Sequence, residues 1–352
     1  MPTSDVPSWK IYRGDGQLQK NILKLPPPPS WRQFKDDAKG ALEQQQLKGK
    51  AFQPPAVAIE MVNAALALRR PLLITGNPGT GKSSLAYAVA RELGLGTVLK
   101  WAITTRTTLK DGLYSYDAIA RLQDAQARGT DNRQETGNYI TLGALGTAFW
   151  ATDLPRVLLI DEIDKSDIDL PNDLLNLFED GEFPIPELQR LELSETEVRT
   201  IDRIDGKQRK VPVIDGVVRC RAFPLVIMTS NGERDFPPPF LRRCLRLRMP
   251  NPTPKELQAI VEKHLGETAA QQSTALINWF CKKVEAGATL ATDQLLNAIH
   301  VRTQEKTSLE PQKKTKVSSD KPKDLTLAEL EELLTDLERR SLLKDLSSPE
   351  DV

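Results

Sequence analysis

The segment with the strongest pattern reads Gly76-Asn77-Pro78-Gly79-Thr80-Gly81-Lys82-Ser83, and Ser84 follows it. It fits G-x-x-x-x-G-K-[ST], a phosphate-binding loop. Glycines let the backbone curl until its N–H groups point at phosphate oxygens, and the following helix N-terminus adds partial positive charge. The flanks agree, because Pro71–Thr75 is typical of a short buried strand and Ser83–Ala90 has helical periodicity. We therefore predict that residues 76–84 bind nucleotide phosphates.

Two acidic residues follow another apolar run, Arg156–Ile160. A continuous apolar run is typical of a parallel strand buried on both faces, and ligands bind at the carboxyl ends of such strands. In combination with the loop, Ser83 and Asp161 are expected to hold Mg²⁺ and Glu162 to activate the attacking water as a general base. Lys82 is expected to reach the β- and γ-phosphates. The neighbouring Asp164 receives no role beyond solvation or capping.

A polar residue, Asn231, comes directly after the apolar strand pattern of Phe223–Thr229 and Ser230. An amide at this strand end could position the water against the γ-phosphate. The alternative is an ordinary turn residue, because asparagine is common in turns.

Two arginines, Arg242 and Arg243, follow a run of prolines. Arginine neutralises the charge that develops on a transferring phosphoryl group. The alternative is a basic surface patch, since Arg246 and Arg248 continue the cluster and such a patch could meet nucleic acid.

Composition sets broad limits on the protein class. The 352 residues contain 48 basic and 48 acidic side chains, so no global positive field indicates a nucleic-acid partner. The three cysteines are widely separated and form no C-x-x-C pair, which predicts neither a zinc site nor a disulfide framework. No signal-peptide core and no apolar run near the ~20 residues of a membrane span are present. We expect a soluble cytoplasmic protein without membrane contact.

Alternating strand and helix patterns predict an α/β fold, a parallel sheet with flanking helices. The domain boundaries expected from the sequence run as follows: an irregular Pro-rich arm at 1–50, an α/β nucleotide-binding domain at 51–250, a helical lid at 251–303, a disordered linker at 304–324, and an amphipathic helix with a tail at 325–352.

Together these segments resemble the AAA+ ATPases, and within them the MoxR-like group with its dynein-related and McrB-like relatives. Residues 76–83 match the family's Walker A motif and Leu158–Glu162 its Walker B motif. Asn231 falls on the sensor 1 position, and Arg243 matches the arginine finger with Arg242 beside it. The resemblance covers residues 50–302 and implies a P-loop sheet domain followed by a small all-helical lid.

One segment departs from the family pattern. The lid usually supplies a sensor 2 arginine, but Gly287-Ala288-Thr289-Leu290-Ala291 carries alanine at that place. Either another residue such as Arg302 or Lys283 replaces it, or the lid couples weakly to the nucleotide.

The resemblance implies a homo-oligomeric ring, usually a hexamer, with ATP between subunits. Arg243 of one subunit would act on ATP held by Lys82 of the next, and hydrolysis would remodel a protein client or a von Willebrand A-domain partner. Nucleic acid would be contacted only indirectly. Two alternatives stay open: an McrB-like nucleic-acid or defence NTPase, and a nucleotide-gated assembly scaffold with little turnover. Glu162 and Arg243 argue against the scaffold.

Overall fold

The computed structural model describes residues 28–29, 38–128, 133–150, 152–204 and 207–309. They belong to two compact units, one with residues 38–76 and 81–249, the other with 28–29, 77–80 and 250–309. The amphipathic helix and tail expected at 325–352 lie outside the described residues, as do most of the arm and the linker.

The strands in chain order are β1 (Leu72–Thr75), β2 (Leu99–Ala102), β3 (Tyr114–Tyr116), β4 (Ile140–Leu142), β5 (Val157–Asp161), β6 (Glu182–Pro184), β7 (Glu195–Ile204), β8 (Lys207–Ile214), β9 (Val217–Arg219), β10 (Leu225–Ser230) and β11 (Leu245–Arg248). Five of them form a parallel central sheet in the order β11-β1-β10-β5-β2. Its inner strands are apolar runs buried on both faces, as continuous apolar strands require. The predicted α/β fold with a parallel sheet and flanking helices is confirmed.

The helices of this unit are α1 (Ala38–Ala51), α2 (Ala56–Leu68), α3 (Lys82–Glu92), α4 (Leu109–Leu113), α5 (Ala118–Arg128), α6 (Ala144–Phe149), α7 (Leu170–Asp180), α8 (Pro186–Gln189) and α9 (Pro238–Arg243). Two apolar clusters fill the space between the sheet and these helices. One cluster includes Leu85 of α3, and the other includes Leu174 of α7. The helices therefore cover both faces of the central sheet.

Helix α1 corrects one expectation, because residues 38–50 were predicted as part of an irregular arm. The segment is rich in Ala, Gln, Leu and Lys, which favour helix, but it lacks a clear apolar face. Contacts with the rest of the unit stabilise this helix. The side-chain oxygen of Gln45 accepts a hydrogen bond from the Val98 N–H (3.0 Å), and Gly49 lies so close to the Tyr87 carbonyl that a Cβ would be 2.4 Å from its oxygen. Residues 38–51 are thus part of the sheet unit.

A second sheet of six strands has the order β3-β4-β7-β8-β9-β6. Its β7–β8 hairpin is anchored to the central sheet by an ion pair between Arg156, which precedes β5, and Asp202 of β7 (2.6 Å). Both side chains are nearly buried, with exposures of 11% and 13%, and a second guanidinium nitrogen of Arg156 contacts the other Asp202 oxygen at 3.0 Å. This bidentate pair fixes the hairpin against the base of β5.

The second unit contains α10 (Pro254–Leu265), α11 (Glu267–Gln272), α12 (Thr274–Glu285) and α13 (Thr292–Leu309) around an apolar core. Its first helix starts with a capping box, in which Thr253 and Glu256 satisfy each other's backbone N–H groups. Helix α13 runs to Leu309, so the linker expected from residue 304 is wrong for residues 304–309. The polar composition of residues 304–309 resembles that of a linker, but these residues continue the helix that begins at Thr292. Among the described helices, none is long and apolar enough to cross a membrane.

The Arg156–Asp202 pair generates a stability prediction. Asp202→Ala leaves a nearly buried guanidinium without its carboxylate, so we expect the free energy of unfolding to fall by about 3 kcal/mol. Denaturant unfolding measures the change. Asp153→Ala is the matched control, because Asp153 pairs with Arg221 at exposures of 86% and 70% and such a pair contributes little. Equal losses for the two variants would contradict the anchoring role.

Candidate active site

The phosphate-binding pattern lies between the end of β1 at Thr75 and the start of α3 at Lys82. Three of its glycines have positive φ angles: Gly76 (142°), Gly79 (78°) and Gly81 (85°). L-residues with side chains rarely adopt these angles, so the glycines permit the curl that the motif requires. Within the loop, Thr80 Oγ1 donates to the Asn77 carbonyl oxygen at 2.9 Å.

Gly81 is required for a second reason. A Cβ at this position would lie 2.3 Å from Cε2 of Phe52, whose ring packs against the loop just before α2. The sequence did not indicate a role for Phe52, because a lone aromatic residue two positions before a proline pair belongs to no motif. Phe52 is partly buried and packs against the apolar cluster that includes Leu85 of α3.

Lys82 lies at the first position of α3 and is only 8% exposed. Its ammonium donates to Asn231 Oδ1 at 2.8 Å and to the Gly76 carbonyl oxygen at 2.6 Å. Burial lowers the pKa of Lys82 below its usual value, while the carboxylates of Asp164, Asp161 and Glu162 act in the opposite direction. The sequence-predicted loop lysine and strand-end asparagine are therefore in direct contact.

Asp161 ends β5 and receives donors from three other elements. Its Oδ1 accepts from the hydroxyls of Ser83 (2.6 Å) and Thr229 (2.8 Å), and its Oδ2 pairs with the Lys100 ammonium (2.7 Å). Burial alone would raise the pKa of Asp161, but the hydrogen bonds from Lys100, Ser83 and Thr229 outweigh it and lower that pKa. The result is a carboxylate held ionised beside the Ser83 hydroxyl.

Glu162 follows Asp161 in a left-handed backbone conformation, with φ at 61°. Such angles are uncommon for residues other than glycine and concentrate at functional sites. The Glu162 N–H donates to Thr229 Oγ1 at 2.9 Å, and its carboxylate accepts from Lys165 at 2.8 Å. The backbone turn sends the Glu162 side chain away from the buried strand, and it is 43% exposed.

Asp164 corrects the expectation that it is merely solvated or a helix cap. It is 3% exposed, and its Oδ2 accepts the backbone N–H groups of Asn231 (2.8 Å), Gly232 (3.0 Å) and Glu233 (3.1 Å). The carboxylate thus fixes the turn that carries Asn231. Local spacing could not reveal this role, because its partners lie more than 60 residues away in the sequence.

Arg242 and Arg243 are not brought to this site within one chain. They end α9, and the next residues begin β11, whose Leu245 N–H donates to the Pro71 carbonyl oxygen just before β1 (2.8 Å). Because β11 runs parallel to β1, this junction marks the amino edge of the sheet, whereas the phosphate loop follows the carboxyl edge. The two arginines and Lys82 therefore lie at opposite edges.

A comparison with known protein families covers the segment that carries this site. Residues 71–244 match the family model described as AAA domain (dynein-related subfamily), a segment that holds the loop, both strand ends and the arginines. This segment is an AAA+ domain. The assignment implies a P-loop nucleoside triphosphatase that binds nucleotide. No curated protein matches the sequence.

Two solved structures are similar to this chain at low identity. Domain III of the Thermotoga maritima replication initiation protein DnaA is 18% identical, with a TM-score of 0.38, and the match covers 83% of this chain and 97% of that one. NtrX from Brucella abortus, solved in complex with ADP, is 15% identical with a TM-score of 0.41. That match covers 86% of this chain, which spans only 65% of the NtrX chain.

Asp164 generates the prediction for this site. Asp164→Ala removes the acceptor of three backbone N–H groups in a buried turn, so we expect about 2–4 kcal/mol of stability to be lost. Asp169→Ala is the control, because its carboxylate is nearby in sequence but makes no capping hydrogen bond. Denaturant unfolding of both variants measures the two changes in the free energy of unfolding. A loss no larger for Asp164→Ala than for Asp169→Ala would show that the turn does not depend on this carboxylate.

Proposed function

We propose that this AAA+ chain hydrolyses ATP with Mg²⁺ at the carboxyl edge of its central sheet. The observation that carries the proposal is the direct contact of Lys82 with Asn231 and of Ser83 with Asp161, at 2.8 and 2.6 Å. These four residues come from three separate segments of the chain. A phosphate-binding lysine, a hydroxyl, an ionised carboxylate and an amide at one sheet edge are the parts that phosphoryl transfer uses.

The loop residues would bind the phosphates. Backbone N–H groups of the loop Gly76–Ser83 and of Ser84 at the start of α3 would surround the phosphate oxygens, and the Lys82 ammonium would neutralise the β- and γ-phosphates. Because Lys82 contacts Asn231, a γ-phosphate bound to Lys82 would lie within reach of that amide. Asn231 would then orient the attacking water, in a turn that Asp164 holds.

The donor set of this site fits Mg²⁺, which prefers oxygen ligands and keeps several of its waters. Ser83 Oγ and Asp161 Oδ1 are 2.6 Å apart, and the carboxylate is ionised. Ser83 would bind the ion through its hydroxyl and Asp161 through water. When bound, the ion supplies positive charge to the β- and γ-phosphate oxygens.

Glu162 would act as the general base. It follows Asp161 directly, and its left-handed backbone turns its half-exposed carboxylate out of the strand. The carboxylate would take a proton from the attacking water as the water oxygen bonds to the γ-phosphorus and the bond from that phosphorus to the bridging β–γ oxygen breaks. Lys165, 2.8 Å from the carboxylate, restrains it in the resting geometry.

Arg243 would complete the site of a second copy of this chain, with Arg242 beside it. At the amino edge of the sheet, Arg243 cannot serve the nucleotide bound at the carboxyl edge of its own chain. A homo-oligomeric ring, hexameric by resemblance, would bring the two edges of neighbouring subunits together. We propose a MoxR-like role in which hydrolysis remodels a protein client or a von Willebrand A-domain partner.

The first experiment measures ATP hydrolysis per subunit against protein concentration. We expect the specific rate to rise and then saturate, because each site needs an arginine from a second copy. Arg243→Ala is the control and should stay at least about 10³-fold slower at saturating protein. A constant, measurable rate at concentrations where sizing shows only monomers would contradict the shared site.

Glu162→Gln tests the base. The variant keeps the size and polarity of the side chain but cannot take a proton, so turnover should fall at least about 10²-fold while ATP affinity changes little. Phosphate release and calorimetric ATP binding give the two readouts. Lys82→Ala provides the contrasting pattern, since it removes the phosphate charge partner and should abolish binding. Phosphate release within a few-fold of the unmodified chain would refute the role of Glu162.

A further inference from the structure

Helix α9 is a rigid support for Arg243, although it has only six residues. Phe240 is fully buried, and its ring packs against Phe236 with centroids 5.4 Å apart. The guanidinium of Arg70 donates to the backbone carbonyl oxygen of Arg243 at 3.0 Å and to that of Arg242. These carbonyls end the helix and would otherwise need other donors. The backbone of the two arginines is therefore fixed from both sides.

The side chain of Arg243 is fixed as well. Its Nε donates to Oε1 of Glu179, in the last turn of α7. Arginine presents five N–H donors, and Nε supplies one of them. The contact uses Nε and does not occupy the two terminal nitrogens, which form the fork that recognises phosphate. No other hydrogen bond of this guanidinium is found within the described residues.

The last turn of α7, which carries Glu179, is held in place by its neighbours. The preceding residue, Phe178, packs in an aromatic cluster with Phe149 (6.3 Å between centroids) and Phe223 (6.1 Å). The turn ends at Gly181, whose left-handed conformation lets its N–H bond the Leu177 carbonyl oxygen. The carboxylate is thus presented from a fixed backbone, although its side chain is 53% exposed.

We infer that Glu179 is a positioning residue, which holds Arg243 in the orientation that reaches the ATP bound by a second copy of this chain. This inference rests on the proposed function of Arg243. A half-exposed ion pair adds little to stability, so the pair has no evident structural purpose. A free arginine side chain would lose the rotational freedom of several bonds on binding. An arginine already held through Nε has lost most of that freedom beforehand, so binding costs less conformational entropy.

A mixing experiment separates this role from a structural one. Arg243→Ala chains keep a nucleotide site but supply no arginine, and Lys82→Ala chains supply the arginine but bind no ATP. Each should be nearly inactive alone, and their mixture should regain ATP hydrolysis. Glu179→Ala is then added to one of the two chains at a time, and the recovered rate is measured at fixed protein concentration.

We expect Glu179→Ala to lower the recovered rate at least about tenfold when it is in the Lys82→Ala chain, which supplies Arg243. In the Arg243→Ala chain it should have little effect. Glu179→Gln in the arginine-supplying chain should restore most of the rate, because the amide oxygen still accepts from Nε. Glu182→Ala is the matched control, since Glu182 forms a similarly exposed pair with Arg219 at 2.8 Å.

The outcomes distinguish two failures. If the mixture with Glu179 intact recovers no activity, the shared site itself is wrong, and with it the proposed function of Arg243. If the mixture recovers but Glu179→Ala changes the rate equally in either chain, or no more than Glu182→Ala does, the positioning role is overturned. A higher rate with Glu179→Ala in the arginine-supplying chain would also overturn it, because Glu179 would then restrain Arg243 rather than present it.

Discussion

The carboxylate of Asp161 is the interaction on which the candidate site depends. It ends a strand whose apolar residues are fully buried, and a charge at that depth is tolerated only when donors surround it. Those donors come from Ser83 of α3, Thr229 of β10 and Lys100 of β2. One ionised group therefore holds the phosphate loop and the two strands beside β5 in a common arrangement. The position of Lys82 follows, because Lys82 and Ser83 are adjacent at the start of α3.

A second carboxylate, Asp164, fixes the neighbouring strand end. Thr229 links the two, since its hydroxyl donates to Asp161 and accepts the N–H of Glu162. Asp164 then accepts the N–H groups of the turn that follows β10, which includes Asn231. The candidate base and the candidate water-orienting amide are thus positioned by the same few hydrogen bonds. Such a shared network makes the two positions interdependent rather than separately adjustable.

Sequence pattern predicted the parts of this site that are local. The glycine loop and the apolar runs before Asp161 and Asn231 are each patterns within a few consecutive residues. The contributions of Lys100, Asp164 and Glu179 were not predicted, because each depends on a partner more than 60 residues away. Buried and exposed residues alternate along β2, and Lys100 is at one of the exposed positions. This pattern predicts a side chain that faces solvent.

The separation of Arg243 from Lys82 is a consequence of parallel sheet geometry. Strand β1 has four residues, so its first and last Cα atoms are about 10 Å apart at the usual rise per residue. The loop follows one end of β1, and α9 joins β11 beside the other. No rotation of an arginine side chain closes that distance while Arg70 and Glu179 hold its base and its Nε. On the proposed function, one copy therefore supplies the nucleotide-binding half of one site and the arginine half of another. Hydrolysis then requires the assembly of at least two copies.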